Sequence, residues 1–231
     1  MKAWIAVLLA VCIAMAACVL IPRPSRAVSG VWDAPMTLVI DAGHGGADGG
    51  TISVDGIRES DLNLEIALRA EALAALAGIK TVMIRREDTS VETDGDTIAK
   101  RKVSDLKQRV HTVNAAENPV LLSIHQNHFS EPKYHGAQVF YAPSAGSEAL
   151  AKQMQNALRE AIDPKNRREC KKADSVYLLS NVTCPAVLVE CGFLSNAGER
   201  QLLQTANYQI KLAMTMVSVL SQAEGNGCYE I

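Results

Sequence analysis

Four residues of this chain could do chemistry together: two histidines and two glutamates, each placed where a strand ends or a helix begins. His44 lies in the glycine-rich run Asp41-Ala-Gly-His-Gly-Gly46, where little side-chain bulk keeps a metal or a substrate from the backbone. His125 follows the apolar run Leu121-Leu-Ser-Ile124, Glu190 ends Ala186-Val-Leu-Val189, and Glu59 opens a helical stripe. Two imidazoles and one carboxylate with an open fourth position form a catalytic zinc arrangement, in which the metal lowers the pKa of water to about 7. The carboxylate left over can move protons. Spacing does not say which glutamate takes which part.

Each of these residues also has a plainer reading. A carboxylate in the first turn of a helix is favoured by the helix dipole alone, so Glu59 in isolation reads as a helix-start residue. A lone strand-end histidine is often a hydrogen-bonded loop residue; His111, His128 and His135 fit that description, with His128 close enough to His125 to be a reserve ligand. Glu190 resists the plain reading, because an ionisable group at the end of so apolar a strand is costly unless paired or metal-bound. The glycines around His44 do not form a nucleotide loop: no Lys-Ser/Thr pair follows them and no G-x-G-x-x-G opens a helix.

The elements that must position these groups alternate. Met36 to Ile40 reads as a strand, and Glu59 to Ala77 as a helix with Leu62, Ile66, Ala70, Leu73 and Ala77 on one stripe, stopped by Gly78. Ile79 to Arg85 is the next strand. A polar stretch, Arg86 to Lys102, leads to Ser104 as expected N-cap of a helix through Ala116, with Leu106, Val110 and Val113 inward. Strands follow at Val120–Ile124, Ala137–Ala142 and Ala186–Glu190, with a helix at Ser147–Ile162. A closing helix starts at the capping-box-like pair Asn196 and Glu199 and runs to about Gln222. The fold class is α/β: one domain with a mainly parallel, twisted sheet of about six strands and helices on both faces. In such sheets sites collect beyond the carboxyl ends of the strands, where His44, His125 and Glu190 fall; Glu59 begins a helix that returns from the same edge.

The amino end is different material. Met1-Lys-Ala-Trp opens an uncharged apolar run through Ile21, followed by Pro22-Arg-Pro-Ser-Arg-Ala27, and a run of that length is about enough to cross the hydrocarbon core. Export is expected, with three possible fates: an uncleaved anchor, favoured by the run's length; cleavage after Ser25-Arg26-Ala27; or lipidation at Cys18, for which Met15 is a poor first residue. Of the six cysteines, Cys12 and Cys18 lie in this run, and Cys170, Cys184, Cys191 and Cys228 form no C-x-x-C pair, so buried or free thiols are expected. With 231 residues, 48% of them hydrophobic, and a net charge of -2, the chain can bury one full core and has no general attraction for nucleic acid.

Asp41-Ala-Gly-His-Gly-Gly46, Glu59 before Asp61-Leu-Asn-Leu64, Ser123-Ile-His-Gln-Asn127 and Val189-Glu-Cys-Gly-Phe-Leu-Ser-Asn196 resemble the four signatures of the zinc-dependent N-acetylmuramoyl-L-alanine amidases. The resemblance runs from about Thr37 to the end of the terminal helix. It implies one zinc ion (Zn2+) per chain held by His44, Glu59 and His125, with Glu190 catalytic. It also implies hydrolysis of the amide between the lactyl group of N-acetylmuramic acid and L-alanine in peptidoglycan, with zinc polarising the carbonyl and Glu190 carrying the proton to the leaving amine. Asn127 would orient substrate or stabilise the oxyanion, or else simply make a loop hydrogen bond. Asp105-Leu-Lys-Gln-Arg-Val110 and Leu178-Leu-Ser-Asn-Val-Thr-Cys-Pro-Ala186 resemble more particularly the CwlD-type amidases of endospore formers, which act on spore cortex.

On this reading residues 1–27 are a signal or membrane anchor, 28–35 a linker, 36–224 the catalytic domain and 225–231 a tail. The enzyme works outside the cytoplasm, anchored or secreted, and between the forespore membranes if it serves sporulation. The stretch between Tyr141 and Val187 is too short for the helical plug of related cell-separation amidases, so an open resting site is expected, with targeting left to the amino-terminal segment or an accessory protein. His128 stands where the family often has alanine, and Cys184 and Cys191 flank the catalytic strand, where either could disturb the metal or invite oxidation. Two other functions fit the same residues: a zinc peptidase cutting within the stem peptide, and a non-catalytic, membrane-tethered wall-binding protein.

Overall fold

The structure, a computed structural model, describes residues 35–226, so the readings of export, anchoring and lipidation, together with Cys228, lie outside the described residues. In chain order the elements are β1 (Thr37–Ala42), α1 (Glu59–Leu76), β2 (Lys80–Met83), α2 (Ile98–Ala115), β3 (Pro119–Asn127) and β4 (Gln138–Tyr141). They continue with α3 (Ser147–Ala161), β5 (Lys171–Lys172), α4 (Tyr177–Asn181), β6 (Ala186–Phe193), α5 (Ala197–Leu203) and α6 (Ala206–Asn226). Among the described residues no helix is long and apolar enough to cross a membrane.

The six strands form one sheet in the order β2-β1-β3-β6-β4-β5. The pairs β2–β1, β1–β3 and β3–β6 are parallel, β4 runs antiparallel to β6, and the short β5 follows β4 in parallel. Strands buried on both faces read as near-continuous apolar runs, and the alternation of side chains then divides them between two cores. Leu38, Ile40, Leu122, Ile124, Val187 and Val189 join Ile66 of α1, Met154 of α3 and Met216 of α6 in the larger cluster. Val39, Leu121 and Leu188 join Val113 of α2 and Leu179 of α4 in the smaller one. Ile66 has no exposed surface, and truncating such a side chain to alanine costs about 2–5 kcal/mol.

That alternation decides where the polar residues go. Continuing Val39, Leu121 and Leu188 by twos places Asp41, Ser123, His125 and Glu190 on the face covered by α2 and α4. Asp41 is the register partner of Ser123, and His125 the partner of Glu190. Cys191, the next residue, turns the other way into the larger core.

Several boundaries differ from the sequence reading, among them the second strand, which spans Lys80–Met83 rather than Ile79 to Arg85. The α2 helix begins earlier than Ser104, at Thr97, whose hydroxyl accepts from Lys100 N at 3.2 Å. Ser104 lies within the helix, and its hydroxyl accepts from Thr93 N and Asp94 N, so the same capping chemistry pins the preceding loop instead. The closing helix is two helices: Asn196 caps α5 by accepting from Glu199 N at 3.0 Å, and Gln209 at the start of α6 donates to Leu203 O across the break. Glu199 does not complete the capping box; its carboxylate accepts from Phe193 N and Gly136 N. Finally, β3 extends to Asn127 and β6 to Phe193, so His125 and Glu190 lie within paired strand rather than beyond it.

Candidate metal centre

His44, Glu59 and His125 come together: one ligand atom from each, all within 4.8 Å of one another. Glu59 is the centre of the group. Its Oε1 lies 2.9 Å from His125 Nδ1 and 3.4 Å from His44 Nε2, and it also accepts from Gln126 N at 3.1 Å. Its Oε2 accepts from Thr51 N at 2.9 Å. Asp48 Oδ2 stands 3.0 Å from His44 Nδ1, which directs the other ring nitrogen at Glu59. His44 holds this pose at φ 61, a left-handed conformation that non-glycine residues rarely adopt.

Two glycines make the approach possible. A Cβ on Gly43 would stand 2.2 Å from the His125 ring, and one on Gly50, at φ +66, would stand 2.7 Å from both Glu59 Oε2 and His44 Cδ2. The glycine-rich loop therefore gives the two imidazoles room beside the backbone.

Burial pushes the Glu59 carboxyl up, but the imidazoles of His125 and His44 outweigh it and hold Glu59 far below the usual carboxylate range. Burial likewise pushes His44 down, and Glu59 with Asp48 more than reverses this, leaving it raised. Glu190 behaves in the opposite sense. Burial is the largest influence, Glu59 adds to it, and the carboxyl is pushed up to about 7 against the pull of His125 and His44. Its Oε2 is buried without a hydrogen-bond partner.

Two imidazole nitrogens and a carboxylate oxygen form a donor set of the kind zinc takes. A tetrahedral ion with bonds of about 2.0–2.2 Å keeps its ligand atoms roughly 3.3–3.6 Å apart. The spread here accommodates that with small side-chain adjustments, and the residues fit a zinc ion. The cluster faces a cavity of about 280 Å³ with Glu190 and Leu188 in the sheet, Lys102, Asp105 and Leu106 on α2, and Tyr177 and Leu178 on α4.

Asn127 ends β3 half-buried, and its carbonyl accepts from Leu194 N at 2.8 Å. His111, His128 and His135 are exposed and outside the cluster. Cys170, Cys184 and Cys191 are free thiols. Burial pushes Cys184 up to about 11 and raises Cys191 further, so neither is a thiolate at neutral pH, and Cys191 faces away from the cavity.

Sequence reasoning missed the frame that holds His44 in place. Arg109 of α2 and Asp41 of β1, 3% and 1% exposed, form a buried ion pair, and Ser123 Oγ donates to the other Asp41 oxygen at 2.6 Å. Arg109 also donates to Ala42 O at 3.0 Å, to His44 O at 2.8 Å and to Asp105. Arg85, after β2, donates to Ala42 O at 2.8 Å and Gly43 O at 3.1 Å. From the larger core, Asn63 donates to Gly43 O, and Gln126 donates to Asn63. The loop that presents His44 is thus gripped by its carbonyls. The signal in the sequence was a buried-stripe position occupied by arginine, one residue before the expected Val110.

A domain of this topology, with a His/Glu/His cluster beside a desolvated carboxylate at the edge of four parallel strands, belongs to the class of metal-assisted hydrolases. Within that class the match is specific: the family profile described as N-acetylmuramoyl-L-alanine amidase (Amidase_3) covers residues 38–222, and the chain belongs to that family. It is 37% identical over 190 residues to the germination-specific N-acetylmuramoyl-L-alanine amidase of Bacillus subtilis, covering 80% of this chain and 79% of that one. Among solved structures it resembles the CwlD amidase of Clostridioides difficile, determined in complex with the GerS lipoprotein, with a TM-score of 0.78 and 36% identity. That match covers 80% of this chain and 96% of the other. The catalytic domain of CwlV, an N-acetylmuramoyl-L-alanine amidase from Bacillus (Paenibacillus) polymyxa var. colistinus, matches with a TM-score of 0.68 and 28% identity over 81% of this chain and 97% of that one.

Proposed function

We propose that this amidase hydrolyses the bond between the lactyl group of N-acetylmuramic acid and L-alanine through His44, Glu59 and His125 as the holders of one zinc ion and Glu190 as the proton carrier. The observation that carries the role of Glu190 is its buried, unpartnered oxygen, one strand from His125 in register. A structural carboxylate in such a place would be expected to have a partner. When bound, zinc supplies Lewis acidity to the carbonyl and acidifies water. Glu190 in its ionised form takes the proton of the attacking water and delivers it to the amide nitrogen as the C–N bond breaks, releasing the stem peptide with a free L-alanine amine. A carboxyl that burial pushes up and whose Oε2 has no hydrogen-bond partner is suited to both accept and return that proton. Asn127, half-buried at the end of β3, is assigned the orienting of substrate or support of the developing oxyanion.

Spore cortex as the substrate is supported by the germination-specific relative and by the likeness to CwlD. The complex of CwlD with a lipoprotein supports an accessory protein as partner. The site of action is outside the cytoplasm, with residues 1–27 as signal or anchor, 28–35 as linker, 36–224 as the catalytic unit and 225–231 as tail.

The test is mass analysis of the products of purified peptidoglycan treated with the zinc-loaded protein. Intact stem peptides beginning at L-alanine, beside peptide-free glycan, are expected. Products cut within the stem peptide would establish the peptidase reading, and no products with any partner present would leave a wall-binding protein.

A further inference from the structure

Four residues of α2 that line the cavity, Lys102, Asp105, Leu106 and Arg109, follow the three- and four-residue spacing of one helix face. Two of its charges are consumed inside the protein. Arg109 is enclosed by Asp41, Asp105 and two backbone carbonyls, and Asp105 accepts from Arg109 and from Val91 N. Lys102 is different: its side chain is 57% exposed, and it makes one ion pair, 3.2 Å to Asp48 Oδ2.

Asp48 does not depend on that contact, since His44 Nδ1 and Gly50 N already hold its carboxylate. Lys102 therefore keeps two ammonium hydrogens for another acceptor. It also lies at a seam: Lys102, His44, Asp48 and Asp105 line both the metal-centre cavity and an adjoining hollow of about 230 Å³. On the cavity wall Arg109 is buried against Asp41 and Asp105, which leaves Lys102 as the exposed cation of this wall, placed to meet an acidic ligand that approaches the centre. Peptidoglycan stem peptides are acidic chains, so the leaving half of the substrate brings a carboxylate close to the scissile amide.

On the basis of the amidase reading above, we infer that Lys102 is a specificity-determining residue that binds the carboxylate of the stem-peptide residue following L-alanine. Asp48 serves as its resting counter-ion, and the substrate carboxylate replaces or shares that contact.

The test uses the zinc-loaded protein and two soluble muropeptides that differ only at the residue after L-alanine, which carries a free carboxylate in one and a carboxamide in the other. Wild type is expected to favour the free acid by about tenfold in kcat/KM, the scale of one charge-assisted hydrogen bond. Lys102→Met should raise KM for the acid by about the same factor and leave the amide unaffected, and Lys102→Arg should restore the preference. Zinc content and thermal midpoint, measured beside the kinetics, show that the exposed substitution leaves the centre loaded. A wild type without preference overturns the inference. So does a Lys102→Met defect equal on both muropeptides, because a disturbance passed through Asp48 to His44 would not distinguish them. Wild type that cleaves neither muropeptide with any accessory partner present would instead overturn the amidase reading on which the inference rests.

Discussion

Replacing Arg109 by methionine keeps most of the side chain's volume and removes its charge and all its donors. Asp41, 1% exposed, is then left with Ser123 as its side-chain partner, and His44 O loses its donor, while Ala42 O keeps Arg85. Breaking a buried pair by removing one partner costs about 3–5 kcal/mol, because the remaining charge stays desolvated. Domains of this kind have about 5–15 kcal/mol in total, so the variant should fold but lose a large fraction of its stability. For a domain of this size the loss corresponds to a fall of ~6–20 °C in thermal midpoint.

The pH dependence identifies the cause. Burial pushes Asp41 up, and Arg109, His125 and the Ser123 hydroxyl outweigh it, so its folded pKa lies below the ordinary value of 3.8. Its contribution to stability is therefore complete above the unfolded value and is lost as pH falls through the folded one. The gap between wild type and Arg109→Met should be widest at neutral pH and narrow in acid, where the stranded carboxyl is protonated. Asp41→Asn combined with Arg109→Met should recover part of the loss. Thermal and urea denaturation from pH 3 to 8 measures all three proteins. A midpoint within ~4 °C of wild type for Arg109→Met, or a double variant no better than the single, would refute the reasoning.

Three further outcomes follow from the centre itself. His44→Ala and His125→Ala should each lose zinc and amidase activity together, and Glu59→Ala less completely; stoichiometric zinc in all three by metal analysis would remove the ligand assignment. Gly43→Ala places a methyl group where the His125 ring now lies, 2.2 Å away, so zinc affinity in a chelator competition should fall at least tenfold, and an unchanged affinity would show the ring is free to move. Glu190→Gln should keep zinc and lose about a hundredfold to ten-thousandfold in rate. In the metal-free protein, where Glu190 sits near 7, its ionisation destabilises the fold as pH rises from about 4.5; the glutamine variant should therefore match wild type near pH 4 and exceed it near pH 8 in denaturation midpoint.

Much of the fold was legible because its signals are local and repeated. Ile66 and Ala70 could be placed inward from helical spacing, and the strands through Val39, Leu122 and Val187 from apolar runs bounded by turn residues. What was not legible depends on partners distant in sequence. Ser104 has the chemistry of an N-cap, and nothing in its neighbourhood says that Thr93 and Asp94 will claim its hydroxyl while Thr97 caps the helix. The antiparallel β4 cannot be told from a parallel strand by composition, because its direction is set by pairing with β6. The break between α5 and α6 carries no glycine or proline; it is held by Gln209 reaching Leu203 O.

The site divides along the same line. His44, Glu59, His125 and Glu190 were visible because ionisable residues at the ends of apolar strands and helices stand out against their surroundings. Asp41 and Arg109 were hidden because each looks ordinary alone: an aspartate before a glycine turn, and an arginine in a helix that is otherwise charged. Their significance appears only when period-two alternation puts Asp41 and Ser123 on the same face as His125 and Glu190, and α2 lays Arg109 across them. A left-handed histidine is strained and keeps its conformation only where the surrounding structure imposes it. Fixing it by the carbonyls of residues 42, 43 and 44 leaves its imidazole free for a metal, which side-chain anchoring alone could not do. The cations therefore belong to the site as much as the proposed ligands do, and a glycine-rich histidine loop without buried guanidinium groups behind it would be expected to hold metal poorly.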